Sequence, residues 1–232
     1  MENIKINDRL LTAVPFVRKG KRFADIGTDH GYLPIYLLDK GIINFAIAAD
    51  INRGPLDKAE ENIEKFGMNG RVKTVLCDGL RGINASEVDD VAIFGMGGEL
   101  IMKIIDEAPW LKGEDKRVIL QPMTHPEKLR EYLANNGYKI IGETLSFDRD
   151  KIYQTICAEY DGEARKYDIF TLHFGEFILA QKTALLVELL VNTRKKLERK
   201  IEGKKSGNED ISEEILLLTK INKYIEEEEY DS

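Results

Sequence analysis

Short apolar runs alternate with helix-like segments along residues 1–160, and this alternation restricts the fold more than any other feature of the chain. Five nearly continuous apolar runs are predicted strands: Arg22–Ile26, Phe45–Asp50, Val72–Cys77, Val91–Phe94 and Val118–Leu120. Four helical patterns lie between and after them: Leu33–Asp39, Leu56–Phe66, Leu100–Glu107 and Glu127–Asn136. Strands without polar alternation are buried on both faces, and helices between consecutive strands form parallel crossovers. The chain is therefore predicted to be an α/β protein with a mainly parallel sheet.

Two further strand patterns, Tyr138–Leu145 and Ile152–Glu159, have no helix between them. The polar segment Asp148–Asp150 lies at their junction, so we expect an antiparallel hairpin that closes a seven-stranded sheet.

The pattern becomes purely helical after about residue 164. Residues 168–205 have helical periodicity with no proline, and residues 203–208 interrupt it. A second apolar stripe then recurs every three or four residues: Ile211, Ile215, Leu218, Asn222 and Ile225. We predict an α/β domain at 1–163 and a C-terminal α-helical hairpin at 164–232. The stripe could pair within the chain or with a second copy, and we expect a monomer.

Composition excludes several classes of protein. The 232 residues are 43% hydrophobic and 32% charged, with a net charge of −7 and no apolar stretch near the roughly 18 residues that a membrane span needs. The amino terminus has no signal-peptide pattern, so we expect a cytoplasmic protein. Cys77 and Cys157 lie in apolar runs and are expected to be buried, reduced thiols. The three histidines lack metal-ligand spacing, and no metal site is predicted.

The segment Phe23–Gly31 follows the first strand and opens a helix, as phosphate- and nucleoside-binding loops do. Asp50 ends the second strand and can accept the two hydroxyls of a ribose. Asp78 ends the third strand, where it could reach an adenine amino group. A purely structural turn at Gly27 and Gly31 would not explain acids at three successive strand ends, which is where open α/β sheets bind ligands.

The glycine spacing favours one nucleoside ligand over another. A dinucleotide fingerprint reads Gly-x-Gly-x-x-Gly, whereas this chain has Gly27-x-x-x-Gly31 preceded by Asp25. An acid before the first glycine does not suit a pyrophosphate but suits a ligand with an ammonium group. S-adenosylmethionine has that ammonium, a ribose and an adenine, and it carries no phosphate. NAD is the less favoured alternative.

Two more loops lie at predicted strand ends on the same face of the sheet. Gly95-Met96-Gly97-Gly98 follows the fourth strand, and its glycines would allow close backbone approach to a ligand or a flat substrate, or simply form a flexible loop. Gln121 ends the fifth strand and could hydrogen-bond to a base, while Pro122 could simply end the strand.

These motifs resemble those of the bacterial tRNA (adenine(22)-N1)-methyltransferases, the TrmK family. The resemblance rests on Asp25–Pro34, Gly95–Gly98 and Gln121-Pro122, and it extends over essentially the whole chain. It implies the class I methyltransferase fold, a Rossmann-like seven-stranded sheet with strand order 3-2-1-4-5-7-6. It also implies methyl transfer from S-adenosylmethionine to N1 of adenine 22, in the D-loop region of tRNA, with S-adenosylhomocysteine as product.

The resemblance and the strand-end loops together give the candidate site residues. The candidate cofactor-binding residues are Asp25, Gly27, His30, Gly31, Asp50, Ile51, Asp78, Gly79, Gly95 and Met96. The candidate substrate-binding residues are Tyr32, Gly97, Gly98, Gln121, Arg194, Arg199, Lys200 and Lys204.

Asp29 is the candidate catalytic residue, because a carboxylate beside the target adenine could accept a hydrogen bond from its N6 amino group. The alternatives for Asp29 are a helix N-cap and a direct contact with the cofactor. Tyr32 could stack on an extruded adenine or simply pack on its helix face.

The last four candidates lie in a basic run, residues 194–205, which carries seven basic and two acidic side chains. This run would bind tRNA phosphates, or it is an ordinary solvated helix face. Two other functions remain open from the residues alone: methylation of a small molecule or protein, and RNA binding without catalysis on the same fold.

Overall fold

Seven strands are present in the computed structural model, which describes residues 4–207 and 209–230. They are β1 (Phe23–Ile26), β2 (Ala46–Asp50), β3 (Val72–Leu76), β4 (Asp90–Met96), β5 (Arg117–Pro122), β6 (Tyr138–Asp148) and β7 (Lys151–Tyr160). They form one sheet in the order β3-β2-β1-β4-β5-β7-β6. Strands β1 to β5 pair in parallel, and β7 pairs antiparallel with both β5 and β6. The predicted fold, strand order and closing hairpin are confirmed.

Burial along the strands follows their position in the sheet. Every residue of the central strand β1 is buried, and β2 is buried up to Asp50, as near-continuous apolar runs require. The run at β3 differs from this expectation, because β3 is an edge strand and Leu76 at its end is 55% exposed.

Five α-helices accompany the sheet in the described residues before 167: α1 (Asp8–Leu11), α2 (Tyr32–Asp39), α3 (Arg53–Lys65), α4 (Gly98–Asp106) and α5 (Pro126–Asn135). The last four are the predicted crossover helices, with boundaries shifted by up to three residues at either end. Helix α1 is not predicted from the sequence, because four residues are too few to establish a periodicity. Asn7 caps it by accepting a hydrogen bond from the Leu10 amide, and α1 packs beside β6.

A buried ion pair connects α5 to the closing hairpin. Arg130 Nε lies 2.6 Å from Glu143 Oε1 of β6, and Arg130 Nη2 lies 2.7 Å from Gln154 Oε1 of β7. All three side chains are buried. Because each charge has a hydrogen-bonded partner, the pair fixes the position of α5 against the hairpin without leaving a bare charge in the core.

The chain divides into two compact units, Met1–Lys166 and Tyr167–Ser232. The second unit contains α6 (Ile169–Phe174), α7 (Glu176–Gln181), α8 (Ala184–Ser206) and α9 (Ser212–Tyr230). The prediction of one continuous helix over 168–205 is wrong. The helix is broken at Gly175 and again at Lys182, whose φ angles of 80° and 48° lie outside the helical region.

Helices α8 and α9 contact each other as the predicted hairpin, but the apolar seam of α9 differs from the predicted stripe. The buried residues are Glu214, Leu217 and Ile221, whereas Ile215 is 46% exposed. Four consecutive apolar residues, 215–218, leave the buried face of α9 undetermined by spacing alone.

No helix in the described part of the chain is long and apolar enough to cross a membrane.

Helix α8 continues through Gly203, which was expected to interrupt it. An ideal Cβ at Gly203 meets no atom within 4 Å, and its φ is not positive. Gly203→Ala should therefore raise the free energy of unfolding by about 0.5–1 kcal/mol, since alanine has the higher helix propensity. Urea unfolding followed by circular dichroism of the full chain would measure it. Gly175→Ala is the matched control and should destabilise the protein, because its φ of 80° strains any side chain. A destabilised Gly203→Ala protein would contradict the interpretation.

Candidate functional site

A cavity of about 350 Å³ lies where β1, β2, β3 and β4 end. This volume is within the range of small-molecule sites. Seven of the ten predicted cofactor-binding residues line it: Gly27, Asp50, Ile51, Asp78, Gly79, Gly95 and Met96. Parallel strand pairing brings these loops together from positions up to 69 residues apart, counted from Gly27 to Met96.

Six further residues line the cavity that were not among the candidates: Ile26, Asn52, Cys77, Phe94, Leu100 and Ile104. Most of them are apolar, and Ile51 and Leu100 are 61% and 45% exposed. Exposed apolar side chains on a cavity wall suit a flat aromatic ligand. Cys77 is half-buried in this wall, so its expected burial is wrong, whereas Cys157 is buried as expected.

Two carboxylates stand at the ends of neighbouring strands in this cavity. Asp50 Oδ1 accepts a hydrogen bond of 2.7 Å from the Asn52 amide, which fixes the carboxylate while its second oxygen stays available. Asp78 Oδ2 lies 3.4 Å from Arg81 Nη1 and is otherwise open. A pair of acceptors with an apolar wall fits a nucleoside that presents ribose hydroxyls and an amino group. This set of acceptors and apolar side chains thus matches S-adenosylmethionine.

Asp25 is buried, with 4% of its surface exposed, and it does not line the cavity. Its Oδ2 accepts a hydrogen bond of 2.6 Å from the Thr28 hydroxyl. Burial raises the pKa of Asp25 to about 6, and the nearby Asp29 and Asp50 act in the same direction. A cation brought close to this carboxyl would relieve the cost of its charge.

His30 and Gly31 lie beside the cavity rather than on its lining. The His30 carbonyl accepts a hydrogen bond of 2.9 Å from Asn62 Nδ2 of α3. An added Cβ at Gly31 would lie 3.2 Å from the Cβ of Ala59. Gly31 therefore allows α2 to approach α3 closely, which explains the glycine without a ligand.

Asp29 is half-exposed on the loop after β1. Its Oδ2 lies 3.9 Å from Arg9 Nη2, and its Oδ1 lies 3.4 Å from His30 Nε2. The N-cap alternative for Asp29 is wrong, because Gly31 is the N-cap of α2 and no side chain caps that helix. Asp29 is not among the residues that line the cavity either. Asp29 follows Gly27 of the cavity lining by two residues, and its catalytic role stays a prediction.

Tyr32 begins α2 and is half-buried against the apolar core. Its ring lies 6.0 Å from the His30 ring in an edge-on arrangement. These contacts favour the packing alternative over a stacking role in this arrangement.

The second half of the glycine loop serves packing. An added Cβ at Gly98 would lie 2.7 Å from the His125 carbonyl oxygen and 2.9 Å from that of Thr124. An added Cβ at Gly97 would lie 3.0 Å from the Thr124 hydroxyl. Neither glycine lines the cavity. The neighbouring backbone at Gly98 explains this glycine without a substrate, and approach of a substrate there stays a prediction.

The structure contradicts the prediction that Gln121 hydrogen-bonds to a base. Its side chain is fully buried, and its amide nitrogen donates to the Thr155 hydroxyl at 2.9 Å. Its oxygen accepts from Arg9 Nη1 at 3.3 Å. Gln121 instead holds Arg9, a residue of α1 that the sequence patterns did not single out.

The four basic candidates of α8 separate into two groups. Lys200 and Lys204 each place Nζ 2.8 Å from Glu214 Oε1. These hydrogen bonds hold the pKa of Glu214 at about 2. Arg194 is half-buried and Arg199 exposed, and neither has an ion pair within the described part of the chain. Their charges remain available to a partner.

Within residues 4–207 and 209–230, no group of three or more His, Cys, Asp or Glu side chains could hold a metal ion.

The methyltransferase domain family matches residues 6–156 of the chain. The curated tRNA (adenine(22)-N(1))-methyltransferase of Bacillus subtilis (strain 168) is 33% identical over 192 residues, which is 81% of each chain.

Two solved structures are similar over nearly the full length, the helical unit included. Streptococcus pneumoniae Sp1610, a putative tRNA (m1A22) methyltransferase in complex with S-adenosyl-L-methionine, matches with a TM-score of 0.83 and 29% identity, over 94% of this chain and 99% of that one. M. capricolum TrmK in complex with S-adenosyl-homocysteine matches with a TM-score of 0.80 and 28% identity, over 95% and 98%.

The raised pKa of Asp25 predicts how cofactor binding depends on pH. An ammonium group near Asp25 favours the ionised carboxylate, so affinity is full above pH 6 and is lost as the carboxyl takes up a proton below it. The Kd for S-adenosylmethionine should rise by about tenfold per pH unit below about pH 6. Calorimetric titrations from pH 5 to 7.5 would measure it. Asp25→Asn should bind more weakly and lose this dependence. A dependence that persists in Asp25→Asn would assign the titration to another group.

Proposed function

Because the chain belongs to the tRNA (adenine(22)-N1)-methyltransferase family, we propose that it transfers a methyl group from S-adenosylmethionine to N1 of adenine 22 in tRNA. One observation carries this proposal. The two family structures that contain S-adenosylmethionine or S-adenosylhomocysteine match almost the whole chain, and this chain has two carboxylates and an apolar wall in the cavity at the carboxyl ends of its strands.

The residues of the cavity fit the parts of the cofactor. Asp50 would accept hydrogen bonds from the ribose hydroxyls, and Asp78 would accept one from the adenine amino group. Ile51 and Leu100 would contact the adenine ring. Asp25 would stabilise the ammonium group through charge rather than direct contact, since its carboxyl is buried behind Thr28.

When bound, S-adenosylmethionine supplies an electrophilic methyl group on a sulfonium. The N1 atom of neutral adenine carries a lone pair and no proton, so no base is needed before it forms the new N–C bond. The C–S bond breaks with its electron pair left on sulfur, and the positive charge passes to the base. The protein therefore has to align the adenine and tolerate this charge.

We assign the stabilisation of this positive charge to Asp29. Its carboxylate is half-exposed, it follows Gly27 of the cavity lining by two residues, and it is not consumed by helix capping. Accepting a hydrogen bond from the N6 amino group, Asp29 would stabilise the methylated base and could then take an N6 proton.

A cytoplasmic location follows from a tRNA substrate.

Methyl transfer from labelled S-adenosylmethionine to an unmodified tRNA transcript tests the function. The expected product is N1-methyladenosine, identified by mass spectrometry and mapped by primer extension to position 22. A transcript with guanine at position 22 is the matched control and should accept no label. Cofactor binding without transfer to tRNA would refute the proposed substrate and favour a small-molecule or protein acceptor, or RNA binding without catalysis.

Asp29→Asn should lower kcat by about 10²-fold or more, because the neutral amide cannot stabilise the cationic base. Its Kd for S-adenosylmethionine should stay within about twofold of the unmodified protein. Single-turnover transfer and calorimetry would separate the two quantities. Near-normal turnover in Asp29→Asn would remove Asp29 from the mechanism.

The basic side chains of α8 give a matched pair of variants. Arg199→Gln removes an available charge, so tRNA affinity should fall severalfold. The slope of log Kd against log salt should fall by about 0.9. Lys204→Gln removes a charge committed to Glu214 and to the Asp210 carbonyl, so it should change tRNA affinity less. Filter binding between 50 and 300 mM salt would measure both. Equal effects of the two variants would contradict this assignment, and no effect of either would indicate a solvated face.

A further inference from the structure

Arg9 of α1 lies beside Gly95 of the cavity lining, although it is remote in sequence from every strand end. Its Nη2 lies 3.9 Å from Asp29 Oδ2, and an added Cβ at Gly95 would lie 3.5 Å from its Nη1. Its guanidinium carbon lies 5.9 Å from the centre of the Tyr153 ring. Arg9 therefore stands between the proposed catalytic carboxylate and the Gly95 loop.

A buried polar network holds Arg9 at both ends. Gln121 accepts from Arg9 Nη1 at 3.3 Å and donates through Nε2 to the Arg9 carbonyl oxygen at 3.2 Å. The Thr12 hydroxyl donates to the same carbonyl at 2.6 Å and lies 2.7 Å from the Thr155 hydroxyl. Gln121 and Thr155 are fully buried. Satisfied buried networks of this kind rigidify what they hold, so the position of Arg9 is preorganised.

The guanidinium keeps most of its donors. It has five N–H groups, and Gln121 is its only hydrogen-bond acceptor within the described residues. The separation from Asp29 is too long for a hydrogen bond. Yet the side chain is only 14% exposed, so water reaches it poorly. A partly buried arginine with free donors next to a residue of the cavity lining is suited to an anionic ligand group.

The charge change in the reaction indicates which anionic group Arg9 would bind. The methylated adenine becomes positively charged, so a second cation against the base would oppose the reaction. An adenosine extruded from tRNA also brings its own flanking phosphates to the mouth of the site. A planar guanidinium binds phosphate through two parallel hydrogen bonds, and between Asp29 and a phosphate it would reduce the repulsion of the two anions.

We propose that Arg9 binds a phosphate flanking the adenosine that is methylated, and that Gln121 is the positioning residue that holds Arg9 there. This inference rests on the proposed function and deepens it.

The first test compares Arg9→Gln with Arg71→Gln. Arg71 lies just before the amino end of β3, whereas the cavity lies at the carboxyl ends of the strands. The matched variant therefore loses the same charge away from the site. Arg9→Gln should raise the Kd and KM for tRNA by about tenfold or more, as expected for a charged hydrogen bond. The slope of log Kd against log salt should fall by about 0.7–0.9. Arg9→Lys should recover part of the affinity, and Arg71→Gln should change the Kd by less than twofold.

Other parameters separate this role from an effect on Asp29 or on the cofactor. In Arg9→Gln, kcat should stay within about threefold and the Kd for S-adenosylmethionine within about twofold. A large fall in kcat with unchanged KM and salt slope would overturn the proposal, since Arg9 would then act on Asp29.

A modified tRNA identifies the phosphate. A neutral methylphosphonate in place of the phosphate 5′ or 3′ to the target adenosine should weaken binding to the unmodified protein at one of the two positions. The same substitution should not weaken binding to Arg9→Gln further. Additive losses at both positions would place Arg9 on another phosphate and refute the proposal.

Gln121→Leu tests the positioning role. If Gln121 acts only through Arg9, Gln121→Leu should weaken tRNA binding. The double variant Arg9→Gln/Gln121→Leu should then bind tRNA no more weakly than Arg9→Gln alone. Thr155→Val, which removes an acceptor from the Gln121 amide, gives a second measurement if Gln121→Leu fails to fold. Additive losses would show that Gln121 acts independently of Arg9.

The two proposals fail separately. Equilibrium binding of tRNA needs no turnover, so a protein that binds tRNA without methylating it refutes the proposed function while the salt slopes still decide the role of Arg9. Absence of tRNA binding to the unmodified protein would refute both.

Discussion

Parallel pairing of β1 with β2 and β4, and of β2 with β3, is the constraint on which the site depends. Parallel strands point their carboxyl ends the same way, so every loop that follows a strand opens at one edge. Asp50, Asp78 and Gly95 are brought to one cavity by this geometry. The crossover helices are needed because parallel strands cannot be joined by tight turns.

Charge is distributed around the cavity according to exposure. Asp50 and Asp78 stand on the lining and are free to hydrogen-bond, whereas Asp25 is buried, with a pKa raised to about 6. Asp29 is half-exposed with Arg9 nearby. Acids of the same kind thus differ in what they can do: the accessible ones recognise polar groups, and the buried one responds to the charge of a ligand.

In the helical unit, what a basic side chain can bind depends on whether it already has an acidic partner. The basic run of α8 is one cluster in sequence, but Glu214 on α9 engages Lys200 and Lys204 and leaves Arg194 and Arg199 available. A buried carboxylate between two lysines fixes the register of the hairpin, since sliding α9 by one residue would expose Leu217 and separate the charges. The residues that hold the hairpin together are therefore distinct from those that could contact a phosphate.

The sequence by itself determined the strands, the four crossover helices and most of the cavity lining, because hydrophobic periodicity and glycine spacing are local properties of the chain. The strand order came from the resemblance of its motifs to a known family. Only the tertiary structure decided the rest. The breaks at Gly175 and Lys182 depend on packing between helices. The buried face of α9 depends on such packing too, because the run of four apolar residues at 215–218 does not determine which of them faces α8. Gln121 resembled a ligand contact in sequence, yet its partner Arg9 is 112 residues away. A polar side chain at a strand end can face either a ligand or the protein itself, and what packs against it determines which.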